Sequence, residues 1–399
     1  MGGLAAGGAV VRAALPLAVA RPGTGWRVPL AAWGASRALV LLLALVLSLA
    51  LGLPERGVDP AVPHALGLLG GWDTTWYLDV ARFGYEHDLG QVGHVFTNLA
   101  FFPLLPGIMA VFLAIGINPF VGALVVSNLA FLGALGALHA LTASRFGEDA
   151  AVRATWTLAF LPPALYASLA YSEGIALACA VAAALAAVRG RHGLAGLAAA
   201  GAALTRPTGI IVVLLVAMLA WRGPAAGRLA RLGMAVLPSV VALGAFLGWM
   251  AAARGSAMLP LDAQQAWDRG QLGIGVVTAA PDELSAAWDL VSSGTFTAAW
   301  TATARDLVFL ALYVWLLVRL WRSEGGLRSP WVAYSAAVLV VPLSSGTITS
   351  MARFGLMAFP LVWPLADWIG EDRGRALRWG GAAAVVIGLL VAQLAIRSP

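Results

Sequence analysis

The 399-residue chain contains no lysine; all 25 of its basic residues are arginine. Nineteen acidic residues complete its charge, so only 11% of the chain is charged. In so uncharged a sequence, any grouping of charged side chains carries information. There is one cysteine, Cys179, inside the apolar run Ile175–Val188. A single thiol excludes an intramolecular disulfide and a cysteine-based metal site. Its expected role is close packing between helices rich in small residues. His64, His87, His94, His139 and His192 are scattered, without the spacing of a paired metal site. No glycine-rich loop precedes a lysine and no dinucleotide-binding fingerprint appears, which argues against a soluble nucleotide site. An activated substrate is then expected to arrive through the lipid.

What the chain has in abundance is apolar sequence. It is 60% hydrophobic, with a mean hydropathy of +0.85. Apolar runs near the length of a bilayer crossing recur at roughly 31–53, 119–142, 152–171, 174–188, 194–206, 208–221, 230–252, 305–321, 331–347, 352–369 and 379–396. The pattern predicts an all-α polytopic membrane protein of about ten to twelve transmembrane helices, with one domain over 29–399 behind a cytoplasmic, disordered tail over 1–28. The short pieces around 194–221 read as a broken hairpin. Leu15–Ala20 ends like a signal-peptidase site, but Met1–Val11 lacks the basic start of a leader. The use of arginine alone, with abundant Ala, Gly and Leu, looks like the codon bias of a GC-rich bacterial genome.

A net charge of +6 does not point to nucleic acid, because the arginines sit in short turns between apolar runs, where orientation explains them. If Phe101–Gly116 does not cross, the turns at 144–153, 189–193, 222–231, 319–328 and 373–378 share one side with the N-terminus. The positive-inside rule favours that arrangement, so 101–116 is read as a re-entrant or juxtamembrane helix. The longer loops, about 54–118 and 253–304, then face outward. They carry Glu55, Asp59, Asp73, Asp79, Glu86 and Asp88, and Asp262, Asp268, Asp282, Glu283 and Asp289. The turn Tyr171-Ser172-Glu173 joins them on that face.

The densest polar cluster is Gly71-Trp72-Asp73-Thr74-Thr75-Trp76-Tyr77-Leu78-Asp79, continuing to Arg82, Gly84, Tyr85 and Glu86. At helical spacing Asp73 and Tyr77 share a face, as do Trp72, Trp76 and Asp79. A short amphipathic helix on the membrane would bury the aromatics and lift Asp73 toward a cleft, where a shielded carboxylate can act as general base. The plainer readings are an interfacial aromatic belt and, for Asp73, a helix cap. Asp79 is expected to pair with Arg82. Glu173 sits between two apolar runs, either lining a cavity or at the interface. Arg206, in Leu204-Thr205-Arg206-Pro207-Thr208-Gly209, and Arg353, in Ser350-Met351-Ala352-Arg353-Phe354, stand at outward ends of spans against the bias of the other arginines. Guanidinium groups there suit a phosphate; snorkelling to headgroups is the alternative.

The order Trp72-Asp73, Trp76-Tyr77, Ala81, Gly84-Tyr85, then Ala100-Phe101-Phe102-Pro103-Leu104-Leu105-Pro106, then Tyr171-Ser172-Glu173, resembles the GPI mannosyltransferase 2 family. The resemblance runs from about residue 30 to 370. It departs in a longer spacer between Tyr85 and Phe101 and in Arg353-Phe354, where Arg-Tyr is commoner. It implies a GT-C glycosyltransferase using a polyprenyl-phosphate sugar, with Asp73 as the catalytic acid residue and Glu173 as the second acidic residue. On this expectation Trp72, Trp76, Tyr77, Asp79, Arg82, Tyr85, Glu173, Arg206 and Arg353 contact substrate. The partners are the lipid-linked donor, a glycolipid, protein or polysaccharide acceptor, and membrane lipids, with no nucleic acid. No cofactor is required; Asp73, Asp79 and Glu173 are the residues that would hold a divalent metal if one bound. The rival readings are a lipid-linked-sugar flippase or other secondary transporter, and a non-catalytic assembly subunit.

Overall fold

A computed structural model describes residues 25–51, 62, 64–90, 92–267, 269, 281, 285, 288–289, 292 and 298–396. Most of the expected N-terminal tail, Glu55, Asp59, Asp268, Asp282 and Glu283 lie outside these residues. The described residues are almost wholly helical. The longer helices, in chain order, are α1 (Arg27–Leu51), α2 (Asp73–Phe83), α3 (Leu104–Ala114), α4 (Pro119–Phe146), α5 (Glu148–Ala159), α6 (Glu173–Val188) and α7 (His192–Ala203). They continue as α8 (Ile211–Trp221), α9 (Arg228–Arg254), α10 (Ala298–Glu324), α11 (Pro330–Leu343), α12 (Val362–Ile369) and α13 (Arg373–Ile396).

Among the described residues, five helices are long and apolar enough to cross a membrane: α1, α4, α9, α10 and α13. A sixth crossing arises if the broken pair Pro162–Ser168 and α6, bent by 107°, is taken as one. The protein is therefore an all-α polytopic membrane protein by its helices, with fewer long crossings than the run of apolar segments predicts. The physical reason is proline. The expected span 152–171 ends at Phe160 and continues as a 3-10 segment, Pro162–Ser168, because Pro162 and Pro163 cannot donate to a helix. The expected span 352–369 is divided into four short pieces before and within α12, with Pro360 and Pro364 among them. The 194–221 region does form a broken hairpin, α7 and α8 joined through Pro207–Ile210.

At 1.5 Å per residue the 11-residue α3 extends about 16 Å, roughly half a hydrocarbon core. The N–H of Leu104 donates to the Leu204 carbonyl at 3.0 Å. Its other end doubles back on α4, where Gly122 meets the Phe112 ring. This helix is one of the shorter apolar helices, below the length of a bilayer crossing. α4 starts on a strong signal: the Asn118 side chain accepts from the N–H groups of Phe120 and Val121, and Pro119 occupies the first turn.

Broken backbone within the bundle needs partners for its carbonyls, and side chains supply them. Arg37, near the middle of α1, donates to the Ala164 carbonyl at 3.2 Å and to Ser168 Oγ at 2.5 Å. Asn128 donates to the Ser168 carbonyl, Thr74 to that of Ala170 and Ser127 to that of Tyr171. Arg37 also lies 4.5 Å from the Phe131 ring centroid. Small residues bring α4, α6 and α7 close. A Cβ on Gly174 would stand 2.5 Å from the Ser127 carbonyl, and Cys179 Sγ lies against Gly201, the close packing expected of that thiol.

The arginine-bearing turns gather at one end of the bundle. Arg145 pairs with Glu324 at 2.6 Å and Arg153 with Glu371 at 3.4 Å, while Arg222 donates to the Arg328 carbonyl at 2.6 Å. The opposite end holds Asp73, Glu173, Arg206 and Arg353.

Candidate active site

Asp73 is the first residue of α2. The residue before it, Trp72, adopts φ 55° and ψ −112°, a conformation that side chains rarely accept. The surroundings hold that turn in place. Tyr171 Oη donates to the Gly71 carbonyl at 3.0 Å, Thr74 Oγ1 to the Ala170 carbonyl at 3.3 Å, and Tyr77 Oη to Ser172 Oγ at 3.0 Å. The N–H of Ala170 returns a bond to Leu69. The polar cluster after α1 is thereby fastened to Tyr171-Ser172-Glu173, about 100 residues later. The cap position weighed for Asp73 from the sequence is taken by Trp72, with Asp73 one residue inside the helix.

Arg353 arrives from the other half of the chain on the four-residue helix Met351–Phe354. Its preceding residue, Ser350, is left-handed at φ 65°; with Trp72 it makes up the positive-φ non-glycine residues of the described chain. Asp306 of α10, 1% exposed, holds this turn from a distance. Its Oδ2 accepts from the Ser350 N–H and its Oδ1 from the Ala352 N–H, both at 2.9 Å. Arg305 donates to Oδ2 at 2.6 Å and reaches Gln393 of α13 at 2.8 Å. A carboxylate thus satisfies the open N–H groups at the start of a helix, as a cap does, but from a different helix. Tyr313 Oη completes the support by donating to the Ala352 carbonyl at 2.9 Å.

These two turns bring four charges together. Arg353 Nη1 lies 2.5 Å from Asp73 Oδ2, and Arg353 Nε lies 3.1 Å from Glu173 Oε1. The same oxygen is 3.0 Å from Arg206 Nη1. Glu173 is 1% exposed. Its contacts with the two arginines are close but poorly aligned as hydrogen bonds, since both of its oxygens lack a well-directed donor. Its role is therefore Coulombic: one buried carboxylate between two guanidinium groups. A charge at that depth is retained only when paired. Glu173 and Arg206 are buried, and Arg206 and Arg353 are committed to the carboxylate of Glu173.

A third guanidinium, Arg269, stands beside them. Among the described residues it has no carboxylate partner, and it donates to the Thr349 carbonyl at 2.5 Å. Its Cζ is 4.3 Å from the Phe354 ring centroid, with Arg206 at 4.9 Å and Arg353 at 5.6 Å from the same ring. One phenyl ring therefore sits among three cations. Burial first, then the Arg353 and Arg206 charges, push Arg269 down to about 9; it remains a cation at neutral pH. Three guanidinium groups thus stand beside Asp73 and Glu173, and Arg269 is the one with no carboxylate partner among the described residues.

The cluster opens into a cavity of about 620 Å³, within the range of small-ligand sites. Asp73, Arg206, Arg269 and Arg353 supply its charged wall, with Asp262, Gln264 and Gln265 from the second long loop. Tyr77, Phe101, Phe102, Trp267 and Phe354 supply aromatic surface. The Asp73 side chain is 21% exposed, so it is reachable. The expected meeting of three acidic segments on one face is seen in Asp73, Glu173 and Asp262.

Other residues expected at the site do different work. Trp76 stacks on Phe101 at 6.0 Å and meets Trp267 edge-on at 6.1 Å. The face of α2 expected to lie in lipid is thus covered by protein. Trp72 is half-buried and does not line the cavity. Tyr77 does line it, packed edge-on against Phe101 at 5.0 Å. Burial, then Asp73 and Glu173, raise its phenol well above the usual range. Asp79 accepts from Asn98 Nδ2 at 2.6 Å rather than pairing with Arg82, which is exposed at the end of α2. Asn98 also binds the Gly84 carbonyl and the Glu86 N–H, so Asp79 helps to fix the loop. Tyr85 is buried, donates to the Phe101 carbonyl at 2.7 Å and packs on Phe246 and Trp249. His139 bridges Thr155 and Glu148 at the arginine-rich end. Asp79 stands apart from Asp73 and Glu173, and among the described residues no three metal-ligating side chains come together.

Three contributors escaped the sequence reading. Arg37 carried a usable signal, a charge inside an apolar run of crossing length. Asp306 and Arg269 carried none, since each resembles an ordinary charge at a loop or helix end. Comparisons with protein families, with curated proteins and with solved structures return no match, so the functional reading rests on this geometry and these residues.

Proposed function

We propose that the protein is a GT-C-type membrane glycosyltransferase. It moves a hexose, mannose by the resemblance of its Trp-Asp segment, from a polyprenyl-phosphate donor to an acceptor hydroxyl on the extracytoplasmic side of the cell membrane. The observation that carries the reading is the cavity wall itself: a reachable carboxylate, Asp73, next to three guanidinium groups, of which Arg269 has no described carboxylate partner. A glycosyl transfer from a lipid phosphate needs both parts, a base for the incoming hydroxyl and cations for the departing phosphate.

In this mechanism Asp73 accepts the proton of the acceptor hydroxyl as its oxygen bonds to the anomeric carbon. The bond from that carbon to the phosphate oxygen breaks, and its electron pair leaves with the polyprenyl phosphate. Attack opposite the leaving group inverts the anomeric centre. Arg269, uncommitted to any described carboxylate, is the first seat for the phosphate; bidentate guanidinium geometry suits it. Arg353 is shared between Asp73 and Glu173 in the resting protein. A phosphate that draws Arg353 toward itself loosens its hold on Asp73, so donor binding uncovers the base. Glu173 keeps Arg353 and Arg206 neutralised from behind the wall, and it does not itself line the cavity. The aromatic lining offers stacking faces for a sugar ring. The acceptor is a glycolipid, protein or polysaccharide hydroxyl, and the reaction draws on no cofactor in this scheme.

The test is transfer of radiolabelled mannose from polyprenyl-phosphate-mannose in membranes of a deletion strain. The strain is complemented with wild type or Asp73→Asn at matched protein levels. A labelled product restored only by wild type is the expected result. The same product in all three membranes removes this donor and sugar. Counterflow of the lipid-linked sugar without conversion replaces the enzyme with a transporter.

A further inference from the structure

A second cavity, of about 740 Å³, lies at the other end of the bundle. It is formed where the last turns of α4 and α10 meet α5 and α12. Thr142, on its wall, stands 15 residues along α4 from Ser127, the residue that contacts Tyr171 beside Glu173; that is about 22 Å at helical rise. The chemistry proposed for Asp73 makes no use of it.

Its charged lining is Arg153, Arg319 and Arg322 against Glu324 and Asp367. The acids are poorly placed to neutralise the arginines. Glu324 is committed elsewhere: Oε1 accepts from Arg145 at 2.6 Å and Oε2 from Ser329 Oγ at 3.0 Å. Asp367 approaches Arg319 only to 3.6 Å, with its side chain 80% exposed. Arg153 reaches out of the cavity to Glu371 at 3.4 Å, and that side chain is 85% exposed. Such exposed pairs are weak and exchange readily. Among the described residues Arg322 has no ion pair, and Arg319 Nε is buried without an acceptor. The cavity therefore presents more guanidinium donors than it has acceptors. Phe146 and Trp363 give the same wall an apolar part.

We infer that this cavity binds a phosphate mono- or diester. Three guanidinium groups on one wall, one of them with a buried donor that no acceptor meets, call for a ligand that only accepts, through several oxygens. The site lies at the ends of apolar helices, where the phosphate of an anionic lipid headgroup would sit; a soluble phosphate ester carries the same group.

The test uses the full-length protein, purified free of native lipid and placed in phosphatidylcholine nanodiscs. Thermal unfolding is followed with phosphatidylglycerol added to the discs or, separately, with glycerol phosphate added to the buffer. Phosphatidylglycerol is expected to raise the wild-type midpoint by a few degrees through binding to the folded state. Arg319→Ala/Arg322→Ala is expected to lose most of that rise while matching wild type in phosphatidylcholine alone. A rise with glycerol phosphate but not with the lipid, lost in the same variant, also supports the inference and makes the ligand soluble. No rise in either arm, or an equal rise in wild type and variant, overturns it. Should the double variant not fold, Arg322→Ala alone decides the matter. Its side chain holds no described partner, and its removal is expected to weaken phosphatidylglycerol binding about tenfold; unchanged binding overturns the inference.

Discussion

Both ends of the helical bundle carry arginines, and they are used in opposite ways. At the arginine-rich end, apart from the sheltered Arg145–Glu324 pair, the ion pairs are peripheral, as between Arg153 and Glu371 or Arg319 and Asp367, and those carboxylates face solvent. The helices there run to their ends and turn in a few residues. At the Asp73 end Glu173, Arg206 and Asp306 are buried, the helices are broken, and among the described residues two non-glycine residues hold positive φ. There, charges hold irregular backbone and irregular backbone presents charges. Asp306 fastens the turn that carries Arg353, and Arg37 with Asn128 and Ser127 fastens the segment that carries Glu173. Strain and buried charge of this kind persist only where the surroundings over-determine them, and they concentrate at functional sites.

The sharpest way to break this contrast is Glu173→Ala. It strips two buried guanidinium groups of a shared carboxylate, and removing one partner of a buried pair costs about 3–5 kcal/mol. A large fall in the thermal midpoint in detergent, with transfer abolished, is expected; an unchanged midpoint would mean the network is loosely solvated. Asp306→Asn comes next. It keeps the shape but replaces a carboxylate that accepts from two backbone N–H groups and Arg305. Leaving those donors poorly paired costs about 1–3 kcal/mol, and transfer should fall even in protein that remains folded, read as a loss of kcat in a detergent assay. Glu371→Ala, at the other end, should shift the midpoint by no more than about 0.5 kcal/mol equivalent and leave transfer intact. A loss comparable to that of Glu173→Ala would erase the difference between the two ends.

The legibility of the chain follows the same division. The helical class, the gathering of arginine turns at one end and the shortness of the helix at 104–114 follow from hydropathy, loop charge and the prolines at 103 and 106. Asp73, Glu173, Arg206 and Arg353 were visible because a charge among apolar residues is costly and has to be explained. Their mutual pairing was not visible, since Asp73 and Arg353 are 280 residues apart and no local pattern records a long-range contact. The role of α2 was half legible. Helical spacing placed Asp73 and Tyr77 on one face correctly, but whether Trp76 meets lipid or protein depends on Trp267, supplied by a distant loop. The broken spans could have been read more closely from Pro162-Pro163 and Pro360. The tertiary use of Asp306 had no sequence signal, because a remote helix cap leaves no fixed spacing.

The most direct test of the central claim is a transfer assay on purified protein. Wild type and Asp73→Asn, shown to be equally folded by thermal unfolding, are given polyprenyl-phosphate-mannose and a membrane-extract acceptor. Because Arg353 still holds Glu173 in the variant, folding should survive, while loss of the general base should slow transfer by about 10²–10⁴-fold. Full transfer by a folded Asp73→Asn protein would contradict the account.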